Sequence, residues 1–168
     1  MKIKFFIFII LFSATGLFAQ LKVGYIDSDA IIKNIPDGED AKRQLDALIA
    51  DWQGDISRME SEIKSKKDDL ERRKLILTDQ MKFDLEEEIK QLERDLQAYR
   101  DRKFGVGGEL FVKQEEIMKP VQNKVFNAIQ QVAKDEDLDF VFDRSSALMI
   151  VFAKDQYDIT AKVLEKLK

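Results

Sequence analysis

Between Glu39 and Lys103 the chain is charged almost throughout, yet apolar side chains return at alternating steps of four and three. From Leu45 the series runs Ile49, Trp52, Ile56, Met59, Ile63, Lys66, Leu70, Arg73 and Leu77, and it is apolar at eight of ten positions. A helix with this period carries a narrow seam, wide enough for one partner helix and too thin for a globular core. A second series, Leu85, Ile89, Leu92, Leu96 and Tyr99, has the same steps in a different phase. Between the two, Leu77-Thr78-Asp79-Gln80-Met81 breaks register, and Thr78 or Asp79 can cap a new helix. The expected result is a helical hairpin whose two seams pack on each other. One continuous rod dimerising in trans through a stutter is the alternative. Each arm of the hairpin would be on the order of 50 Å long.

Such an arm needs an anchor. Val23-Gly24-Tyr25-Ile26 is a short β-prone run, after which Ser28 or Asp29 is placed to cap a brief helical turn through Ala30, Ile31 and Ile32. Asn34 to Gly38 reads as a turn leading into the long helix. On the far side of the arm, Gly105, Gly107 and Gly108 interrupt the returning helix, each at a cost of ~1 kcal/mol relative to alanine, and are candidate hinge residues. No Gly-Lys-Ser or Gly-Lys-Thr follows them, so they do not make a phosphate loop. Beyond Pro120, Val121, Val125, Ile129 and Val132 continue a helical stripe, with Phe126 and Ala128 beside it. Phe140 to Phe142 and Leu148 to Phe152 are expected to form a β-hairpin around Asp143 to Ala147. Asp158 or Thr160 would cap a last helix over Ile159 to Leu167. Strands at both ends of the chain imply one small sheet, and three short strands bury little without pairing with other subunits. The fold class is therefore α+β.

The first nineteen residues differ from the rest. Lys2 and Lys4 precede an apolar run from Phe5 to Phe12 that continues to Ala19, the pattern of a cleavable signal peptide, and fifteen residues from Phe5 fall short of the ~20 a membrane-spanning helix needs. A cut after Ala19 would remove both lysines, leave 149 of the 168 residues and take the formal net charge from −4 to −6. We therefore expect residues 1–19 to be a signal peptide and residues 20–168 a single domain, with the body drawn from about 20–38 and 120–168 and the arm from about 39–119. An acidic mature chain is not the charge balance of a nucleic-acid binder. Export with no cysteine means that no disulfide and no lipid-modified cysteine can hold the chain.

The chain also lacks histidine, which removes the usual zinc ligand sets, Ser-His-Asp triads and Cys-His dyads. The acidic run Asp135-Glu136-Asp137-Leu138-Asp139 starts like a calcium loop. Phe140, however, stands where that loop needs glycine, and Ser146 stands at the twelfth position. No enzyme, metal or cofactor site is expected. Charges along the arm read as a solvated surface laced by weak pairs. Apolar residues off the seams are more telling. Leu75, Ile76, Phe83, Phe104 and Phe111 lie on or beside the arms, where two helices cannot cover all of them, and they are candidate contacts for a non-native chain.

The order of these elements, with Val23-Gly-Tyr-Ile-Asp27, Asp137-Leu-Asp-Phe-Val-Phe-Asp143 and Tyr157-Asp-Ile-Thr-Ala-Lys-Val-Leu164, resembles the Skp/OmpH family of periplasmic chaperones. The resemblance covers essentially the whole chain after residue 19. It implies a homotrimer in which strands from three subunits form a β-barrel body and three helical hairpins project as tentacles around a cavity. Val23, Tyr25, Val141, Ile150 and Phe152 are then candidate residues of the trimer body. It further implies a periplasmic holdase that binds unfolded outer-membrane proteins without ATP. Any membrane contact is expected to be peripheral and not integral. The familiar members are basic, whereas this mature chain is acidic, which shifts the weight of client capture toward apolar contact and enclosure. A structural coiled-coil scaffold of the envelope, without affinity for unfolded chains, is the alternative function.

Overall fold

The computed structural model describes residues 21–145 and 150–168. The expected signal peptide lies outside them, as do Ser146 and Ala147 of the expected turn and Leu148 and Met149 of the expected second strand.

The chain opens with strand β1 (Val23–Ile26) and helix α1 (Ser28–Lys33). Asp27 is the residue that starts α1: its Oδ1 accepts the Ala30 N–H at 2.8 Å. Ser28, expected as a cap, donates instead to Asp143 Oδ2 at 2.5 Å and so ties α1 to the far end of the chain. Helix α2 (Pro36–Arg73) follows at once. Pro36 sits in its first turn, where a missing N–H costs nothing. The expected turn therefore shrinks to Asn34 and Ile35. At 38 residues α2 is about 57 Å long.

Helix α3 (Asp79–Phe104) runs back along α2. Thr78 caps it, its Oγ1 accepting the Met81 N–H at 3.3 Å. The phase break is thus the tip of a hairpin within one chain. Ile63, Ile89 and Leu96 are buried between the two helices, and Ile56, Met59, Leu70, Leu85 and Leu92 pack against them. Both seams match the expected registers. Charged pairs reach across the groove beside them, with Lys66 Nζ 2.6 Å from Glu88 Oε1 and Lys67 Nζ 2.6 Å from Glu93 Oε1. Lys66 is one of the two charged seam positions, and its ammonium turns to the neighbouring helix.

After the glycines, α4 (Glu109–Asp135) returns to the base of the arm. It passes through Pro120 without a break. Val121, Val125, Ala128 and Val132 are buried on one face, while Ile129 packs at the margin and Phe126 points outward. Strand β2 (Phe140–Asp143), a short 3₁₀ turn (Asp155–Tyr157) and helix α5 (Thr160–Lys166) complete the body. Asp158 Oδ1 accepts the Thr160 N–H at 2.8 Å, and Thr160 Oγ1 accepts the Asp27 N–H at 3.0 Å. The start of α5 is thereby pinned to the end of β1. The body core joins Ile26, Ile31 and Ile35 to the buried face of α4 and to Ile159 and Val163.

Among the described residues the expected β-hairpin is not formed. Strand β2 pairs in parallel with β1, Val23 opposite Phe140 and Tyr25 opposite Phe142. The other edge of β1 is taken by a bridge between Tyr25 and Asp158. Ile150 to Lys154 adopts no strand. The parallel pairing is set at the start of β1. Lys22 donates its backbone N–H to Asp139 Oδ2 at 2.8 Å, accepts the Asp139 N–H at 2.8 Å, and places its Nζ 2.7 Å from Asp137 Oδ2. This clasp brings residues 137–140 alongside the N-terminal strand and directs β2 along it.

Candidate functional site

Two surfaces carry the candidate residues: the arm and the outer face of the small sheet.

On the arm, the break in phase that closes the hairpin also decides which apolar side chains face water. Leu77 folds inward at the end of the seam, whereas Leu75 and Ile76 stand 97% and 80% exposed at the tip. Phe83 is exposed on α3, off the line of Leu85 and Ile89. Phe111 is exposed on the wall of a cleft of ≈ 770 Å³ at the base of the arm, with Leu45, Ile49 and Met118 among its other lining residues. Phe104 differs from the rest. Its ring meets buried Trp52 edge-on, with centroids 5.8 Å apart and planes at 83°, although it stays 36% exposed. Unpaired seam arithmetic made it look spare, because its partner lies on α2 at a level only the folded hairpin reveals.

The arm also contains a buried-side polar pair. The Tyr99 hydroxyl donates to Asp55 Oδ2 at 2.6 Å. That bond, helped by burial and by the charges of Asp55 and Asp51, pushes the phenol from 10.0 up to about 12. The same bond, with Arg58, holds Asp55 below the usual carboxylate value. A phenol whose pKa is raised on folding contributes stability that is complete below the unfolded value and is lost as pH rises through the folded one. Thermal melts followed by circular dichroism should therefore weaken between about pH 10 and about pH 12, with Tyr99→Phe removing that part of the decline. A variant with the wild-type alkaline profile would contradict the assignment.

On the body, alternation sorts the candidates. Gly24 and Val141 oppose each other and face inward: Val141 packs on the body core, and a β-carbon on Gly24 would lie 2.9 Å from the Leu138 side chain. Val141 is thus a core residue of the subunit and not part of an outer face. Val23, Tyr25, Phe140 and Phe142 share the opposite face. The two phenylalanine rings stack at 6.4 Å, and both are exposed. Val23, Tyr25 and Phe142 line a recess of ≈ 620 Å³ with Ile150, Phe152 and Tyr157. Phe152 is 81% exposed there, whereas Tyr25 is buried. Burial, foremost, and Asp158 and Asp155 push the Tyr25 phenol up. Phe140 and Phe142 were missed among the body candidates, although the alternation Phe-Val-Phe in a four-residue strand carried the signal.

The outer face is held from behind by Asp143. Burial pushes its carboxyl up, but hydrogen bonds from the side chains and backbone of Ser28 and Ser145 together hold it below the ordinary value. The acidic run after α4 is divided among separate partners: Asp135 with Lys166, Glu136 with Lys162, and Asp137 with Lys22. Among the described residues no group of acidic side chains is arranged to hold a metal ion. Among them, too, no helix is long and apolar enough to cross a membrane.

The three glycines form the break between α3 and α4. Gly107 has φ +70°, and a β-carbon on Gly105 would stand 2.3 Å from the Asp101 carbonyl oxygen. Both positions require glycine to end one helix and start the next.

Comparison with known proteins agrees with this architecture. The chain is 24% identical over 165 residues to the chaperone protein Skp of Pectobacterium atrosepticum, covering 95% of this chain and 93% of that protein. Its fold is similar to a crystal structure from Caulobacter crescentus described as an OmpH-like outer membrane chaperone, with a TM-score of 0.74 at 15% identity over 89% of this chain and 85% of that one. A family model, outer membrane protein (OmpH-like), matches residues 22–167, from the clasp at the start of β1 to the end of α5. The chain belongs to the OmpH-like outer membrane protein family.

Proposed function

We propose that this chain is an ATP-independent periplasmic holdase that encloses unfolded outer-membrane proteins between the arms of a homotrimer. The observation that carries the reading is the placement of bare apolar side chains, Leu75, Ile76, Phe83 and Phe111, along a charged arm that projects from a body with its own separate core. Scattered weak apolar contacts hold a non-native chain without selecting one sequence, and summed over several arms they give useful affinity. The signal-peptide pattern of residues 1–19 supports export to the periplasm.

The trimer body would be built on the outer face of the sheet. Strand β2 has β1 as its one neighbour among the described residues, Phe140 and Phe142 are exposed on it, and Phe152 is exposed in the recess against Tyr25 and Phe142. Two four-residue strands do not make a stable sheet alone. Strands and rings supplied by two further copies would close it into a small barrel.

The test is suppression of aggregation when a denatured outer-membrane β-barrel is diluted into buffer with the purified mature protein. Suppression at stoichiometric trimer is expected. Replacing Leu75, Ile76, Phe83 and Phe111 together by serine should weaken client binding by about tenfold or more, while each single change should stay within about twofold. No suppression at a several-fold excess of trimer would sink the reading. Binding to a folded envelope partner alone would favour the scaffold.

A further inference from the structure

The described part of the chain begins where its small sheet is fastened. Lys22, one residue before β1, exchanges backbone and side-chain hydrogen bonds with Asp139, both at 2.8 Å, and its Nζ stands 2.7 Å from Asp137 Oδ2. These contacts hold the start of β2 against the start of β1. Leu21, just ahead of the clasp, is 62% exposed. A cut after Ala19, the bond that the signal-peptide pattern favours, makes Lys22 only the third residue of the mature chain. Two residues then separate the clasp from a free end, and chain ends are where trimming by peptidases concentrates.

The residue that this cut places at the end is Gln20. A terminal glutamine carries an electrophile within reach of its own nucleophile. The α-amine, with a pKa of about 8, is partly unprotonated at neutral pH. Attack on the side-chain amide is intramolecular and closes an unstrained five-membered ring, so it needs no second molecule. The amine nitrogen bonds to Cδ and the bond from Cδ to Nε2 breaks. Nε2 leaves as ammonia, taking one proton from the attacking amine. Nothing is oxidised or reduced. The product is a neutral lactam, and the terminal charge is gone. An aminopeptidase recognises a free α-amine, which the lactam lacks.

We propose that Gln20 is a modification site: after export it closes to pyroglutamate, and the ring caps the chain two residues ahead of the clasp. The cap keeps Leu21 and Lys22 from being trimmed away, and with them the contacts that direct β2 along β1. The inference rests on the export reading, since it needs the cut after Ala19, but it requires neither a trimer nor a client.

The test is made on the chain exported with its own leader and purified in its mature form. Intact mass is measured at once and after standing at neutral pH. The expected value is that of residues 20–168 less one ammonia, present from the outset or growing with time, and never seen in Gln20→Ala. Both proteins are then exposed to an aminopeptidase. The capped chain should keep its first three residues, whereas Gln20→Ala should lose them and melt a few degrees lower. A mature chain that starts at another residue overturns the cut and the cap together. One that starts at Gln20 and keeps its full mass throughout overturns the cap and leaves the export reading standing. Gln20→Ala resisting the peptidase as well as wild type overturns the protective role. Client binding is scored separately, so the holdase reading stands or falls on its own assay.

Discussion

On the proposed trimer, replacing Phe142 by aspartate is expected to leave a folded monomer, seen in light scattering as a fall from a trimer's mass to that of one subunit. Phe142 stacks on Phe140 over the outer face of β2 and lines the recess shared with Ile150 and Phe152. In the subunit alone its ring is still partly in water. A carboxylate at this position therefore costs the monomer little. In an apolar interface it has no partner, and burying it costs several kcal/mol, enough to reverse an association that depends on that face. Circular dichroism of the variant should keep the wild-type helix content. Val141→Asp makes the necessary contrast. Its side chain points the other way, into the body core, so that change should unfold the subunit itself. A trimer mass unchanged in Phe142→Asp would place the subunit interface elsewhere.

The second large effect is on the body core. Ile31 has no exposed surface, and it packs with Ile26, Ile35, Val125 and Val163 in a cluster that the arm seam does not touch. Ile31→Ala should lower stability by about 3 kcal/mol, the sum of lost transfer energy and the cavity left among stiff neighbours. Denaturant unfolding at a fixed subunit concentration measures it, because association adds to apparent stability. Ile89→Ala should act on the arm instead, since its neighbours are Ile63 and Leu96. A loss below about 1 kcal/mol at Ile31 would mean that the body core is looser than its burial implies.

These two sites also mark how far the sequence can be read. The arm was legible in detail, because its seam repeats: each step of the period tests the one before it, and all eight apolar seam positions of the series from Leu45 to Leu77 are at least partly buried. The tip was legible for a related reason, since a cap and a phase change coincide at Thr78. The body was not. Four-residue strands carry too little pattern to choose a partner, and the choice was made by Lys22, whose clasp with Asp137 and Asp139 spans most of the chain. One small sheet joining both ends of the chain was expected and is found as a parallel pair, but the local hairpin beside it is not found among the described residues. The inner side of β2, where Val141 packs on the body core, depends on which strand lies beside it and where α4 and α5 cover the pair. Phe104 shows the limit on the arm itself. A seam identifies what lies between two helices, but not which off-seam side chain finds a ring such as Trp52 across the groove.

The acidic balance of the chain gives these apolar surfaces added weight. Several arm cations that could steer an acidic client are engaged locally: Arg73 with Asp69 at 3.0 Å and Lys74 with Glu71 at 3.3 Å near the tip, and Lys66 with Glu88 farther down. Exposed pairs of this kind contribute little to stability, but they do neutralise the field a ligand meets. Capture by enclosure should accordingly be insensitive to moderate salt.

The most direct measurement is the mass of the complex formed when an unfolded outer-membrane β-barrel is mixed with the mature protein, determined by light scattering coupled to size exclusion. The account predicts one species holding a single client within a trimer, stable without nucleotide and unchanged by moderate salt. Free trimer eluting apart from aggregated client would contradict it.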